Sequence, residues 1–149
     1  EVREKSSKTK KEKFAKLTLE EKRKLTEKAR ASWHQQNSWV SKIELRIRSI
    51  LQKMNVKFKT NETLFNYNYD IVIDNILIEI NGDFWHGNPL HFEPGEKLFE
   101  TLTVDEVWEK DRVKKETAEN NGKTVYVLWE TEINESTDEE LEQLLSSWL

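Results

Sequence analysis

The sequence predicts an α/β fold, a three-layer α/β/α core with a mixed central sheet, and three observations predict it. Two β-branched runs, Ile71 to Ile73 and Ile76 to Ile78, flank Asp74 and Asn75, a pair that tolerates the left-handed backbone of a two-residue hairpin turn. Thr124 to Trp129 is a continuous apolar run of strand length, the pattern of a strand covered on both faces. Segments with apolar residues at helical spacing precede, separate and follow these strands. The order helix, hairpin, helix, strand, helix places a mixed sheet between helices.

Residues 1–17 are rich in Lys and poor in apolar side chains, so they lack the means to build a packed unit. Thr18 and Glu21 form a capping-box pair, which predicts a helix from Leu19 to about Gln36 with Leu25, Ala29 and Trp33 along a narrow stripe. That stripe is too thin for an independent core. Residues 1–36 are therefore read as a basic, largely helical arm, and residues 37–149 as the domain.

From Ser38 to about Met54, the positions Trp39, Ile43, Ile47, Ile50 and Leu51 repeat at helical spacing. Val56 to Lys59 alternates as a short strand. In the hairpin, counting from the turn sets Ile73 opposite Ile76, Ile71 opposite Ile78 and Asp70 opposite Glu79. Ile71, Ile73, Ile76, Ile78 and Ile80 then share an apolar face, with Asp70, Glu79 and Asn81 on the other. Gly82, Gly87, Pro89 and Pro94-Gly95 mark a loop that carries Phe84, Trp85, His86 and His91. A helix from Val104 stops at Asn121-Gly122. A last, acidic helix starts at Thr137 or Asp138 and turns Leu141, Leu144, Leu145, Trp148 and Leu149 inward.

Charge divides the chain. Residues 1–60 hold 18 Lys/Arg against 7 Asp/Glu, and residues 61–149 hold 6 against 21, so halves of +11 and −15 make up the net −4. A basic flank beside an acidic body suits a polyanion partner. Without cysteine there is no disulfide, thiolate zinc site or thiol nucleophile. No run approaches the ~18 apolar residues of a membrane span, and no signal peptide opens the chain, so no membrane partner is expected and the reading is soluble and intracellular. The chain opens on Glu1 rather than Met, as a processed chain or a piece of a longer protein would.

Directly opposed carboxylates destabilise a sheet unless something neutralises them. A hard divalent cation does so, and Mg²⁺ takes one or two carboxylates while leaving positions for water and phosphate. Glu44 is the sole acid beside the apolar stripe of its helix, among Lys42, Arg46, Arg48 and Lys53, and either pairs with a neighbouring base or points at such a site. His86 follows the acidic hairpin and has a helix acid available, so a base for taking a proton from water accompanies the metal candidate. His34 and His91 carry a structural expectation.

Ile43-Glu44 with Arg46, Ser49 and Leu51, then Phe58, Asp70, Gly82 with Phe84-Trp85-His86, Glu109 to Arg112, and Val127 to Glu130 resemble the very-short-patch-repair endonucleases in order and approximate spacing. The set Glu44, Asp70, His86 and Asp111 is closer to the EDxHD pattern of a group of phage homing endonucleases. Both groups have the PD-(D/E)xK nuclease fold, which implies a restriction-endonuclease-like core. The resemblance implies a Mg²⁺-dependent DNA endonuclease, with one or two ions, acting on double-stranded DNA in a bacterial host cytoplasm. It makes Asp70 the central metal ligand with the main-chain carbonyl of Ile80 beside it, and Glu79 a further candidate ligand. His86 becomes the general base, Asp111 its orienting partner, and Glu44 an outer-shell group. Lys10, Lys11, Lys13, Arg46, Arg48 and Trp85 are the candidates for DNA contact. The repair enzymes build a structural zinc site partly from Cys, so no such zinc is expected here. A mismatch nickase and a non-catalytic DNA-binding module on the same fold are the alternatives. Cutting both strands calls for a homodimer or sequential nicking.

Overall fold

The computed structural model describes residues 40–149 together with residues 12, 13, 15–18, 21, 22 and 24. The arm thus lies mostly outside the described residues, and Lys10, Lys11, Trp33 and Trp39 fall there. The capping box within it is present: the Thr18 N–H donates to Glu21 Oε2 at 2.8 Å and the Glu21 N–H to Thr18 Oγ1 at 3.2 Å.

Helix α1 spans Lys42–Lys53 and is capped by Ser41, whose hydroxyl accepts from the Glu44 N–H. It starts later than the apolar pattern alone suggested, because Ser41 supplies the acceptor that the first turn needs. Four strands follow or flank: β1 (Lys59–Leu64), β2 (Tyr67–Ile73), β3 (Ile76–Asn81) and, after an excursion, β6 (Thr124–Trp129). They form one sheet in the order β1-β2-β3-β6, with β3 and β6 parallel and the other pairs antiparallel. The sheet is mixed, as expected. Strand β1 begins three residues later than the alternation from Val56 suggested, and Val56 and Phe58 pack against the core instead.

Helices cover both faces. Ile47, Ile50 and Leu51 of α1 meet Ile71, Ile73, Ile78, Ile80 and Leu128, joined by Ile133 of α3 (Glu130–Glu135) and Leu141 and Leu145 of α4 (Asp138–Trp148). The opposite face buries Tyr69, Leu77 and Val125 against Ala118 of α2 (Val104–Asn120). Burying a Leu or Ile contributes about 1.5–3 kcal/mol, so the first cluster is the main source of stability. A third cluster of Phe92, Leu98, Val104 and Val107 lies under the loop and the small hairpin β4 (Lys97–Phe99) and β5 (Leu102–Thr103). The hairpin and α3 were not foreseen. Strands of three and two residues are too short for periodicity to register, and α3 follows β6 with no Gly or Pro between them.

One expectation of register is corrected. The β2–β3 ladder is registered only from Ile73↔Ile76 to Ile71↔Ile78, so Asp70 and Glu79 do not form a ladder pair. Asp70 Oδ2 accepts the Ile80 N–H at 2.8 Å, taking the place of a main-chain carbonyl. Alternation slips at the same point: Tyr69 and Ile71, two residues apart, lie in clusters on opposite faces. A short polar side chain that bonds backbone competes with the ladder, which is why the hairpin opens where the acid sits.

Arg46, a DNA-contact candidate, bonds within the fold. Its guanidinium donates to Asp138 Oδ1 at 2.8 Å, to the Ile133 carbonyl and to the Ser136 carbonyl at 2.8 Å, joining α1 to the α3–α4 turn. Arg46→Ala is expected to lower unfolding free energy by roughly 2 kcal/mol, as loss of a partly buried charged donor does. Duplex affinity should stay within about twofold if the phosphate contacts lie elsewhere. Urea denaturation and a binding titration check both halves.

Candidate functional site

Parallel pairing of β3 with β6 brings their C-terminal ends together, Asn81 beside Trp129. The chain leaves β3 into the loop that carries His86, and leaves β6 into α3. Helix α2, which starts with a capping box on Thr103 and Glu106, crosses the same end of the sheet with Trp108, Asp111 and Lys114 turned inward at i, i+3, i+6. These elements enclose a cleft of about 320 Å³ lined by Tyr69, Glu79, Asn81, Asp111, Lys114 and Trp129, among others.

His86 Nδ1 lies 2.7 Å from Asp111 Oδ2, with both side chains about one-third exposed. An ionised carboxylate only accepts, so Nδ1 carries the proton and the lone pair falls on Nε2. Trp129 meets the imidazole edge-on at 6.5 Å between ring centres. The next residue, Gly87, has a left-handed backbone (φ 60), and a Cβ there would meet Val104 Cγ1 at 3.0 Å. Its carbonyl accepts from Trp108 Nε1 at 2.7 Å, tying the loop to α2.

Glu79 is buried and paired with Lys114 Nζ at 2.6 Å, while its Oε1 is buried without a hydrogen-bond partner. Burial pushes its carboxyl up to about 7; Asp70 adds repulsion, and Lys114 and His86 oppose the rise. Glu44 is also pushed above the usual carboxylate range, first by burial and then by Asp70, with Arg48 opposing. Glu44 forms a close ion pair with Arg48, one turn along α1. The structure therefore links Glu44 to Asp70, Asp70 to Glu79, Glu79 to His86 and His86 to Asp111 in a chain of charge contacts. It ties up Arg48, whose Nε is buried without a partner. Trp85 is among the exposed large side chains at 38 %, and Lys13 is exposed.

Lys114, Tyr69 and Trp129 belong to the site but were not singled out from sequence. Lys114 lies 4.8 Å from the Tyr69 ring centre, and the Tyr69 hydroxyl donates to the Lys114 carbonyl. Helical spacing was the available signal: Val107, Asp111, Lys114 and Ala118 form one stripe on α2.

Glu79 yields a pH prediction. The folded protein holds a proton there up to about 7, whereas the unfolded chain releases it near 4.5. Its contribution to stability is complete below about 4.5 and is lost as pH rises through about 7, on the order of 3 kcal/mol in all. Glu79→Gln should flatten the fall in unfolding free energy between those pH values. Parallel curves for the two proteins would contradict this.

Among the described residues no three His, Cys, Asp or Glu side chains converge as a closed metal cage. What is present is a sparser set of hard oxygens. Asp70 Oδ1 is left over after Oδ2 takes the Ile80 N–H. In an extended strand the N–H and C=O of one residue point to the same side, so the Ile80 carbonyl also faces β2, past the last ladder pair. One carboxylate and one carbonyl, beside a buried carboxylate oxygen with no partner, fit Mg²⁺, which keeps several waters.

Fold and geometry together define a mixed α/β domain, a four-stranded mixed sheet between helices with a cleft at the carboxyl ends of β3 and β6. Among solved structures the chain is similar to the Homing Endonuclease I-Bth0305I Catalytic Domain, with a TM-score of 0.52 and 18 % sequence identity over 73 % of this chain and 94 % of that one. At that identity the likeness is one of fold. No family model matches the chain, and no curated protein does. No helix among the described residues is long and apolar enough to cross a membrane.

Proposed function

We propose that residues 37–149 are the catalytic domain of a Mg²⁺-dependent endonuclease that hydrolyses phosphodiester bonds in double-stranded DNA, of the homing type. The observation that carries this reading is the 2.7 Å His86–Asp111 contact beside the Asp70–Ile80 junction. It supplies a base with its lone pair on Nε2, and Glu79, which feels the charges of both Asp70 and His86, connects that base to the oxygens suited to a hard cation. The likeness to a homing endonuclease catalytic domain supports the same class.

Asp70 and the Ile80 carbonyl would hold Mg²⁺, which when bound polarises the phosphate and offsets the charge that develops on it. His86 Nε2 takes a proton from the attacking water as its oxygen bonds to phosphorus. Asp111 keeps the imidazole in that tautomer and stabilises the imidazolium. The bond from phosphorus to the 3′ oxygen breaks and that oxygen takes up a proton from solvent water, leaving 5′-phosphate and 3′-hydroxyl ends. Glu79 and Lys114 hold each other as a buried pair at the floor of the cleft, and Glu44 sets the charge around Asp70 from α1. The arm, with Lys10, Lys11 and Lys13, adds phosphate contacts that raise affinity without choosing sequence. Trp85 lies on the same loop as His86 and contacts the duplex near the scissile bond. A second copy of the chain would bring a second active site for the opposite strand.

The test is cleavage of labelled duplex DNA with Mg²⁺ in competition with single-stranded DNA and with RNA of the same sequence. Preferential loss of the duplex is expected. Equal or faster cutting of RNA would overturn the substrate assignment.

A further inference from the structure

Asp83, outside the dyad and the metal-binding atoms, makes a dense set of contacts. Its Oδ1 accepts from Asn88 Nδ2 at 2.7 Å and from the Thr131 N–H at 3.2 Å, and its Oδ2 forms a short hydrogen bond with the Thr131 hydroxyl. His91 Nε2 lies 2.8 Å from that hydroxyl and 3.3 Å from Asp83 Oδ2. Asn88 is 2 % exposed and its side-chain oxygen accepts from the Leu90 N–H. Glu130 Oε2 accepts from the Asp83 N–H at 3.0 Å.

The cluster has a mechanical meaning. Helix α3 has Trp129 as its N-cap, an indole with no acceptor to offer, and Trp129 is also the residue against His86. The helix needs an acceptor for its first free N–H groups, and a carboxylate is favoured there. Asp83 supplies it from 48 residues earlier in the chain. The residues between Asp83 and Asn88 are wound into turns, with the His86 N–H on the Gly82 carbonyl and the Asn88 N–H on the Asp83 carbonyl. One end of that winding is therefore fixed to α3 through Asp83, and the other to α2 through Gly87 and Trp108.

We propose that Asp83 is a positioning residue for His86. With Thr131, His91 and Asn88 it holds the loop at the spacing that lets Nδ1 reach Asp111. Its effect on catalysis rests on the nuclease reading; its effect on the His86–Asp111 contact does not. Loss of the clamp lets the imidazole drift, and displacement by about 1 Å can lower a rate ~10²-fold.

The experiment uses Asp83→Ala, Thr131→Val and Asp83→Asn in the full chain, with folding checked by circular dichroism. The first readout is the low-field proton resonance of the hydrogen-bonded His86 Nδ1–H, assigned by its loss in Asp111→Ala. The second is single-turnover duplex cleavage beside duplex affinity. Asp83→Ala should lose the resonance and cut about 10²-fold more slowly at affinity within twofold. Thr131→Val should do so in part, and Asp83→Asn, which keeps an acceptor, should remain near wild type. Resonance and rate unchanged in folded Asp83→Ala would overturn the proposal. Should Asp83→Ala not fold, an unchanged resonance in Thr131→Val would do the same. If wild type cuts no DNA, the nuclease reading falls, while the resonance still decides whether Asp83 positions His86.

Discussion

Asp70→Asn is expected to reduce single-turnover DNA cleavage by about 10³-fold or more, with the fold retained and slightly stabilised above neutral pH. A metal ion contributes several kcal/mol of charge stabilisation in the transition state, and each ~1.4 kcal/mol is a factor of ten in rate. Asparagine keeps a carbonyl oxygen for the Ile80 N–H, so the opened end of the β2–β3 ladder is preserved. It loses the charge that would hold Mg²⁺. It also removes the repulsion that Asp70 exerts on Glu79 and Glu44. Activity and stability therefore move in opposite directions, a pattern that misfolding does not produce. Parallel measurement of cleavage rate and thermal midpoint at pH 8 checks both. A rate within tenfold of wild type would remove Asp70 from the metal site.

His86→Ala is expected to slow the chemical step by about 10²–10⁴-fold, the usual worth of a general base, with duplex affinity nearly unchanged. The imidazole is a third exposed and held by one carboxylate, an arrangement suited to taking a proton at Nε2. Asp111→Asn should lie between the two proteins, because an amide can hold the opposite tautomer and offers no charge to the imidazolium. Single-turnover rates for all three check this, and a His86→Ala rate within about tenfold of wild type would transfer the base role elsewhere.

The layered fold was legible in the sequence because hydrophobic spacing carries it. The isoleucines of the hairpin, the stripe Ile47, Ile50, Leu51 and the pair Leu141 and Leu145 meet in one core as their periodicities require. The contact between His86 and Asp111 was legible only through a pattern of residues far apart in the chain, since nothing local predicts which helix acid a loop histidine will meet. The slip at Asp70 was hidden for a different reason. Counting from the turn assumes an unbroken ladder, and a carboxylate that bonds the Ile80 N–H breaks it. Lys114 and Asp83 were hidden because their partners lie 35 and 48 residues away. The intrachain bonds of Arg46 were hidden as well, because charge alone does not tell which carbonyls of its own fold a guanidinium will meet.

The most direct test of the central claim is incubation of a supercoiled plasmid carrying a candidate target with wild type and Asp70→Asn, each with Mg²⁺ or with EDTA. Nicked or linear product formed by wild type with Mg²⁺ alone, and absent with Asp70→Asn, is the predicted result. Product that persists in EDTA or in the Asp70→Asn protein would contradict the account.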